Sequence, residues 1–245
     1  MSFSKIEWTE ATWNPLTGCT KISTGCKHCY AEKMAKRLQA MKSPNYTNGF
    51  ELTCHPHALD IPFSWKKPKM VFVNSMSDLF HEDVPESFIK KVFNIMNIAS
   101  QHQYQVLTKR SEILLKMNPA LRWNNNIWMG VSVETSYYKY RIDHLRQTDA
   151  KVKFISFEPL LHDIGDVDLS GIDWVIVGGE SGPGARPIKK EWVTNIQQQC
   201  LDKNISFFFK QWGGVNKKKN GRLLDGKLWS QMPKLKLPIP ALVPA

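Results

Sequence analysis

From residue 70 to residue 209, short apolar runs alternate with amphipathic stretches. Runs such as Val71–Val73 and Trp174–Val177 have the length of buried strands. Between the runs, apolar residues recur every three or four positions, as at Phe88 and Val92, which is typical of a helix packed on one side. The pattern predicts repeated strand–helix units, and such units place parallel strands side by side in one sheet.

The number of apolar runs sets the size of the predicted sheet. A short first strand is predicted within residues 5–18, and the later strands are predicted at 71–73, 104–107, 127–133, 152–157, 174–177 and 205–209. The chain lacks a G-x-G-x-x-G motif, so a dinucleotide-binding sheet is disfavoured. We therefore predict an α/β fold, a partial (open) β/α barrel of about six to seven parallel strands.

Two segments depart from the alternation. The first helix is marked by apolar residues at 30, 34, 38 and 41, and residues 43–68 follow it with four prolines and no strong periodicity. We predict an irregular insertion there, within a barrel domain of residues 1–214. Residues 215–245 are predicted to be a basic C-terminal extension with a proline-bearing tail. Its lysine run, flanked by Trp212 and Trp229, fits a solvated loop and a nucleic-acid surface equally well.

Charge and hydropathy indicate the kind of partner that the protein binds and its cellular location. Lysine and arginine number 33 against 22 acidic residues, a net charge of +11 that favours a polyanionic partner such as nucleic acid. No apolar run approaches the length of a membrane span, and the first residues lack the apolar core of a secretory signal. We expect no membrane association and a cytoplasmic location.

Three of the five cysteines fall within eleven positions, in the spacing C-x6-C-x2-C. We call residues 19–29, from Cys19 through Cys26 to Cys29, the cysteine loop. Thiolates bind soft or borderline metals, and in the cytoplasm clustered cysteines more often bind metal or catalyse than form disulfides. Structural zinc and simple iron–sulfur clusters usually have four protein ligands. A site with three leaves one metal position open for chemistry.

Polar side chains follow almost every predicted strand. Because the carboxyl ends of parallel strands meet at one edge of a barrel, we expect one shared site there, next to the cysteine loop. The glycine-rich segment 178–184 in this group fits a phosphate-binding loop or a tight turn. The strand-end residues are Asp78, Glu82, Lys109, Arg110, Ser132, Glu134, Glu158, Glu180 and Lys210.

A three-cysteine loop after the first strand of a β/α barrel resembles the radical S-adenosylmethionine enzymes. Their commonest spacing is C-x3-C-x2-C, whereas the first gap here is six residues. The run from Cys26 to Tyr30 is similar to the Cys-x-aromatic-Cys-Tyr run of spore photoproduct lyase and its relatives. Most of the chain also looks like a three-cysteine-motif family of phages and bacterial mobile elements, through the motifs Trp13-Asn-Pro, Ser75-Met-Ser-Asp-Leu-Phe-His and Lys210-Gln-Trp-Gly-Gly.

The resemblance implies a cofactor and a reaction type. In that superfamily three cysteines hold a [4Fe-4S] cluster, and S-adenosyl-L-methionine binds the fourth iron and yields a 5′-deoxyadenosyl radical. The radical abstracts a hydrogen atom from the substrate. The lyase-like motif and the positive charge imply a DNA or RNA substrate for repair or modification. An electron donor such as a flavodoxin or ferredoxin is expected, with a partner protein as a further expectation.

The resemblance also assigns roles to residues. The implied cluster ligands are Cys19, Cys26 and Cys29. The implied cosubstrate contacts are His28, near the adenine, with Asp78, Glu82, Ser132 and Glu134. The residues predicted at the substrate end are Glu158, Glu180, Arg186 and Lys210.

Two other functions fit the same residues. In the first, the three cysteines and His28, Cys54 or His55 form a tetrahedral zinc site in a non-catalytic nucleic-acid-binding protein. In the second, the oxygen-rich segment from Asp78 to Asp83 binds a divalent ion in a metal-dependent nuclease or hydrolase.

Overall fold

A seven-stranded parallel sheet forms the centre of the computed structural model, which describes residues 6–234. Its strands are β1 (Ala11–Trp13), β2 (Met70–Val73), β3 (Gln103–Thr108), β4 (Ile127–Ser132), β5 (Val152–Phe157), β6 (Trp174–Gly178) and β7 (Ser206–Gln211). Neighbours in the sheet follow the order of the chain, and every pairing is parallel. This arrangement is an open β/α half-barrel and confirms the predicted fold class.

Helices and irregular segments connect the strands. The helices are α1 (Tyr30–Ala40), α2 (Glu86–Ile98), α3 (Ser111–Met117), α4 (Tyr140–Arg146), α5 (Lys190–Asp202) and α6 (Lys217–Asn220). The short 3-10 turns are Thr24–Cys26, Pro44–Tyr46, Pro56–Ala58, Ile61–Ser64, Asn118–Ala120 and Ser136–Tyr138. Two antiparallel pairs join Leu16–Thr17 to Thr53–Cys54 and Leu223–Leu224 to Lys227–Leu228. None of the helices in the described part of the chain is long and apolar enough to cross a membrane.

The two faces of the sheet have different neighbours because side chains alternate along each strand. On the outer face, residues such as Val73 and Val175 pack against the helices in the main core. On the inner face, Trp8 and the aromatic side chains of β2, β4, β5, β6 and β7 form a second core. The inner-facing residues nearest the carboxyl ends of the strands are smaller or polar, namely Ser132, Ser156, Gly178 and Lys210. We call this carboxyl-end edge of the half-barrel the mouth.

The buried face of α1 differs from the prediction. Ala31 and Ala35 are buried against Met76, whereas Met34 is 40% exposed and Met41 is 66% exposed. The prediction placed the larger side chains toward the protein and was wrong for most of them. Small alanines let the helix lie close to the loop after β2, and that close approach leaves the methionines outside.

Within residues 6–234, both segments outside the alternation contain defined secondary structure. Residues 43–68 contain three 3-10 turns and a two-residue strand, which confirms the irregular insertion after α1. At the other end, the backbone after residue 228 runs antiparallel to β7, with Phe209 N donating to Trp229 O at 3.0 Å. The division of the chain at residue 214 stays a prediction, and the proline-bearing tail after residue 234 lies outside the described residues.

Candidate functional site at the mouth of the half-barrel

The cysteine loop lies at the mouth, directly after β1. Gly18, the residue before it, forms a parallel bridge with Ser77, which follows β2. Cys26 closes a 3-10 turn, and Cys29 immediately precedes α1. All three cysteines are free and partly buried. A helix N-terminus stabilises negative charge, so the position of Cys29 suits a thiolate.

Arg110, which follows β3, holds the start of the loop. Its Nη2 donates to Thr20 O at 3.2 Å and to Thr20 Oγ1 at 2.8 Å. Its Nη1 lies 3.4 Å from Cys19 Sγ, and its Nε donates to Glu82 Oε2 at 2.5 Å. The arginine is only 4% exposed. A buried guanidinium therefore connects the strand ends to the first cysteine.

Asp78 accepts four hydrogen bonds from the chain itself. Phe80 N and Thr108 Oγ1 donate to Oδ1 at 3.0 and 2.7 Å. Lys109 N and Arg110 Nη1 donate to Oδ2 at 3.0 and 3.3 Å. An ionised carboxylate has about four acceptor positions. In this structure Asp78 thus has none left for the cosubstrate that it was predicted to bind.

Glu82 and His81 also reach the loop through Thr20. Thr20 Oγ1 donates to Glu82 Oε1 at 3.0 Å, and it lies 2.9 Å from His81 Nε2. Burial raises the pKa of Glu82, but the hydrogen bond and the charge of Arg110 outweigh it and lower the pKa to about 2. Burial lowers the pKa of His81, as does Arg110. The Glu82 side chain is 48% exposed, so it still faces the mouth.

Glu134, which follows β4, supports the middle of the loop. Ser23 Oγ donates to its Oε1 at 2.6 Å, and Arg141 Nη1 donates to its Oε2 at 2.9 Å. Lys109 Nζ lies 3.6 Å from Oε1, and the carboxylate is fully buried. A Cβ added to Gly25 would lie 2.5 Å from Glu134 Cγ. Glycine is required at position 25 because the loop passes directly over the carboxylate.

The cysteines have different electrostatic surroundings. Burial raises the pKa of the Cys26 thiol, but the charge of Lys109 and the hydrogen bond between Ser23 and Cys26 outweigh burial and leave the pKa lowered. Burial and the charge of Asp78 raise the pKa of Cys19 to about 11, against the opposing effect of Arg110. Two cations of the mouth thus lie beside two of the three cysteines.

The loop after β6 closes the other side of the mouth. His28 approaches it so closely that a Cβ added to Gly184 would lie 3.1 Å from His28 Cε1. Lys33 Nζ donates to Pro183 O at 3.4 Å. Gly184 has a φ of +78°, so this glycine both forms the turn and makes room for the histidine. The positive φ of Gly184 and its closeness to His28 favour the tight-turn interpretation of the glycine-rich segment 178–184.

The residues predicted at the substrate end form two ion pairs. Lys210 Nζ lies 2.6 Å from Glu158 Oε1, which joins the ends of β7 and β5 across Gly178. Arg186 binds Glu180 through its Nε at 2.9 Å and its Nη2 at 2.5 Å. Each carboxylate that the prediction placed at the substrate end therefore has a cation beside it.

Some of the residues around the loop were missed by sequence reasoning. Arg141, Thr20 and Ser23 were not predicted to be functional, although each contacts a predicted carboxylate. The sequence did indicate that Lys109 and Arg110 lie near the site, because they follow a predicted strand. The remaining predicted contact, Ser132, is buried, and its carbonyl oxygen accepts a hydrogen bond from Arg141 Nη1 at 2.8 Å.

His55, a predicted zinc ligand, and its neighbour His57 both have partners of their own. His55 Nε2 lies 2.8 Å from Thr17 Oγ1, and His57 Nε2 lies 3.1 Å from Asn45 Oδ1. Within residues 6–234, no group of three or more His, Cys, Asp or Glu side chains converges on one point that could hold a single metal ion. The zinc and divalent-ion alternatives therefore gain no support from the arrangement of these side chains.

The donor set fits an iron–sulfur cluster. A cluster spreads its thiolate ligands over different iron atoms, so the sulfurs do not converge on one centre as they do around a single ion. Thiolates and cluster together are anionic, and Lys109 and Arg110 lie beside Cys26 and Cys19. Three partly buried thiols, with Arg110 Nη1 3.4 Å from Cys19 Sγ, supply the ligand type and the nearby positive charge that such a cluster needs.

The half-barrel is similar to that of spore photoproduct lyase complexed with dinucleoside spore photoproduct, with a TM-score of 0.50 and 14% sequence identity. The match covers 81% of this chain and 62% of the lyase, so the chain spans about three fifths of that enzyme. A mutant of the lyase with bound AdoMet and the same dinucleoside also matches, with a TM-score of 0.48, 13% identity and the same coverage. The lyase and this protein therefore share a fold.

No curated protein matches the sequence. One family model covers nearly the whole described chain, including every strand of the half-barrel, the cysteine loop and all the residues of the mouth. The protein belongs to this family, which is described as protein of unknown function (DUF5131) and matches residues 3–233.

Proposed function

We propose that the protein is a radical S-adenosylmethionine-type iron–sulfur enzyme that acts on a nucleic acid or nucleotide. The observation that carries the proposal is the placement of three partly buried free cysteines at the mouth of an open β/α half-barrel. When bound, the [4Fe-4S] cluster and S-adenosyl-L-methionine supply the one-electron chemistry that yields a 5′-deoxyadenosyl radical. The chain's own residues bind, orient and enclose these groups.

In this proposal Cys19, Cys26 and Cys29 are the cluster ligands. The N-terminus of α1 and the side chains of Lys109 and Arg110 offset the negative charge of the bound cluster. Because the first gap between cysteines is six residues, the loop is long enough to pass over Glu134 between Cys19 and Cys26.

The residues proposed to hold the cosubstrate form two groups, one with accessible side chains and one with buried side chains. His28 and Glu82 keep accessible surface at the mouth, so we assign them direct contacts with S-adenosyl-L-methionine. Asp78, Ser132 and Glu134 are buried, and we assign them the role of fixing the strand ends and the cysteine loop around it.

The substrate is proposed to bind against the ends of β5, β6 and β7. Lys210 and Arg186 offer cationic donors there, Glu158 offers an acceptor, and the buried Glu180 is proposed to hold Arg186 in place. Paired charges of both signs suit a polar, hydrogen-bonding substrate such as a nucleobase.

The surface of the cysteine loop and α1 supports a nucleic-acid substrate. Residues 19–42 contain six lysine or arginine residues and one acidic residue, Glu32. Tyr30 and Met34 lie exposed among them. Basic residues interleaved with exposed aromatic and apolar side chains suit a single strand, whose phosphates and bases both need partners.

Cluster content and cofactor cleavage test the proposal. We expect anaerobically reconstituted protein to be brown with about four irons per chain. It should release 5′-deoxyadenosine from S-adenosyl-L-methionine when a strong reductant is added. We expect Cys26→Ala to lose most of the iron and all of this cleavage. Cys54→Ala is the matched control and should keep both, because Cys54 packs against the core and is not one of the three proposed cluster ligands.

The proposal fails if Cys26→Ala keeps the iron content and absorption of the wild type. A colourless protein that retains one tightly bound zinc after purification would instead support the zinc-binding alternative.

A further inference from the structure

We propose that Arg110 is a positioning residue that holds Cys19 and raises the reduction potential of the bound cluster, while Asp78 and Glu82 fix the guanidinium. The inference rests on the proposed function for the identity of the bound group. It gives Asp78 a different role from the cosubstrate contact that the resemblance assigned to it, and it gives Glu82 a second role beside that contact.

Every N–H group of the Arg110 side chain donates a hydrogen bond, and together these bonds fix its position. A guanidinium has five N–H donors. Nε donates to Glu82, the two Nη1 donors serve Cys19 Sγ and Asp78 Oδ2, and the two Nη2 donors serve the carbonyl and hydroxyl oxygens of Thr20. A side chain that is only 4% exposed and bonded at all five donors has one orientation.

Both carboxylates bind the arginine, and Glu82 does so while part of its side chain stays exposed at the mouth. Asp78 has all four acceptor positions filled by the chain, with Arg110 as one donor. Glu82 binds Arg110 and Thr20 through different oxygens. Both acids therefore serve to hold the cation beside Cys19.

A guanidinium 3.4 Å from the sulfur of a cluster ligand has a predictable effect on the reduction potential of the cluster. Hydrogen bonds to the sulfur atoms help to set the reduction potential of an iron–sulfur cluster. Reduction adds negative charge, which a nearby guanidinium stabilises, so its presence raises the potential. Residues that hydrogen-bond a metal ligand and orient it matter for binding: removing one typically lowers metal affinity by about tenfold to a hundredfold.

The chain offers a matched control for this role. Arg141 is as buried as Arg110 and also pairs with a buried carboxylate under the cysteine loop. Its Nη1 bonds go to Glu134 and to the carbonyl oxygen of Ser132, neither of which is a cysteine. A loss of folding stability is expected from replacing either arginine, but the larger change of potential is expected from replacing Arg110, which alone of the two contacts a cysteine.

The test compares reconstituted wild type, Arg110→Met, Arg110→Lys and Arg141→Met. We expect Arg110→Met to release iron to a chelator about tenfold to a hundredfold faster and to have a lower midpoint potential. Arg110→Lys keeps the charge, so its potential should lie nearer to that of the wild type. Arg141→Met should unfold more easily but shift the potential less than Arg110→Met does, because Arg141 contacts no cysteine.

The outcomes separate the two proposals. A wild-type protein that binds no cluster overturns the proposed function and this inference with it. A wild type with a cluster, together with wild-type iron release and potential in Arg110→Met, overturns the role of Arg110 alone. If Arg110→Met does not fold, Arg110→Lys decides the matter, since one nitrogen cannot serve Cys19, Glu82 and Thr20 together. An unchanged iron-release rate in that variant overturns the inference.

Discussion

Two buried arginines organise the mouth at the scale of single residues. Arg110 joins Asp78 to the start of the cysteine loop, and Arg141 joins Glu134 to its middle through Ser23. In both cases a carboxylate at a strand end meets a cation that lies further along the chain. Burial makes each pair sensitive to the loss of either partner, because the remaining charge has no water to solvate it.

Glu134→Gln tests this dependence. The substitution keeps the shape of the side chain but leaves Arg141 and Lys109 without their buried counter-charge. We expect the free energy of unfolding to fall by about 3–5 kcal/mol in a denaturant titration of the cluster-free protein.

Glu191→Gln is the control for that substitution. Its carboxylate is 69% exposed and lies 3.9 Å from Lys189 Nζ, so the free energy of unfolding should change by less than about 0.5 kcal/mol. Equal effects of the two substitutions would show that Glu134 has no special role in supporting the loop.

At the scale of elements, the strands followed their pattern more closely than the first helix did. The strands after β1 lie close to where apolar runs placed them, because a run with both faces buried has few other solutions. Helix α1 has one buried stripe of small residues and larger apolar residues outside it. The spacing of apolar residues predicted the helix, but it did not identify which face of the helix packs against the protein.

Substitutions on α1 separate the two stripes. Ala35 is fully buried beside Met76, so we expect Ala35→Leu to overpack that contact and reduce the free energy of unfolding by about 1–3 kcal/mol. Met34 is 40% exposed and lies outside the buried alanine stripe, so Met34→Gln should change the same quantity by less than about 0.5 kcal/mol. Denaturant titrations of both variants measure this, and the reverse order of effects would show that the methionine stripe packs.

At the scale of the whole molecule, charge and architecture point to the same edge. The parallel sheet brings every strand's carboxyl end to the mouth, and the cysteine loop and α1 add an excess of basic side chains next to it. Long-range electrostatic attraction falls as salt rises, so a polyanion bound at this surface has a measurable signature.

The expected signature is a salt-dependent affinity for labelled single-stranded DNA or RNA. Replacing Lys36 and Arg37 of α1 by glutamine should lower the slope of log affinity against log salt by about 0.7 for each phosphate that the protein no longer neutralises. Replacing Lys90 and Lys91 of α2 by glutamine removes the same charge elsewhere and should leave the slope nearly unchanged. Equal slopes for both double variants would show that α1 is not the binding surface.

The sequence by itself determined the half-barrel and predicted its candidate site at the carboxyl ends of the strands. Side-chain periodicity is local, so apolar runs and helical stripes can be located without knowing the fold. Parallel strands then require their carboxyl ends to share one edge, which predicts that the cysteine loop and residues such as Asp78 and Glu134 are neighbours.

Only the tertiary structure decided what each of these neighbours contacts. Cys19 and Arg110 are 91 positions apart, and Ser23 and Glu134 are 111 apart. Their contacts depend on how the intervening crossovers stack, which no local pattern encodes. The same stacking turned Asp78 from a predicted ligand of the cosubstrate into an acceptor filled by its own chain. It did so because a buried carboxylate must find donors, and the nearest ones belong to β3 and to the residues that follow it.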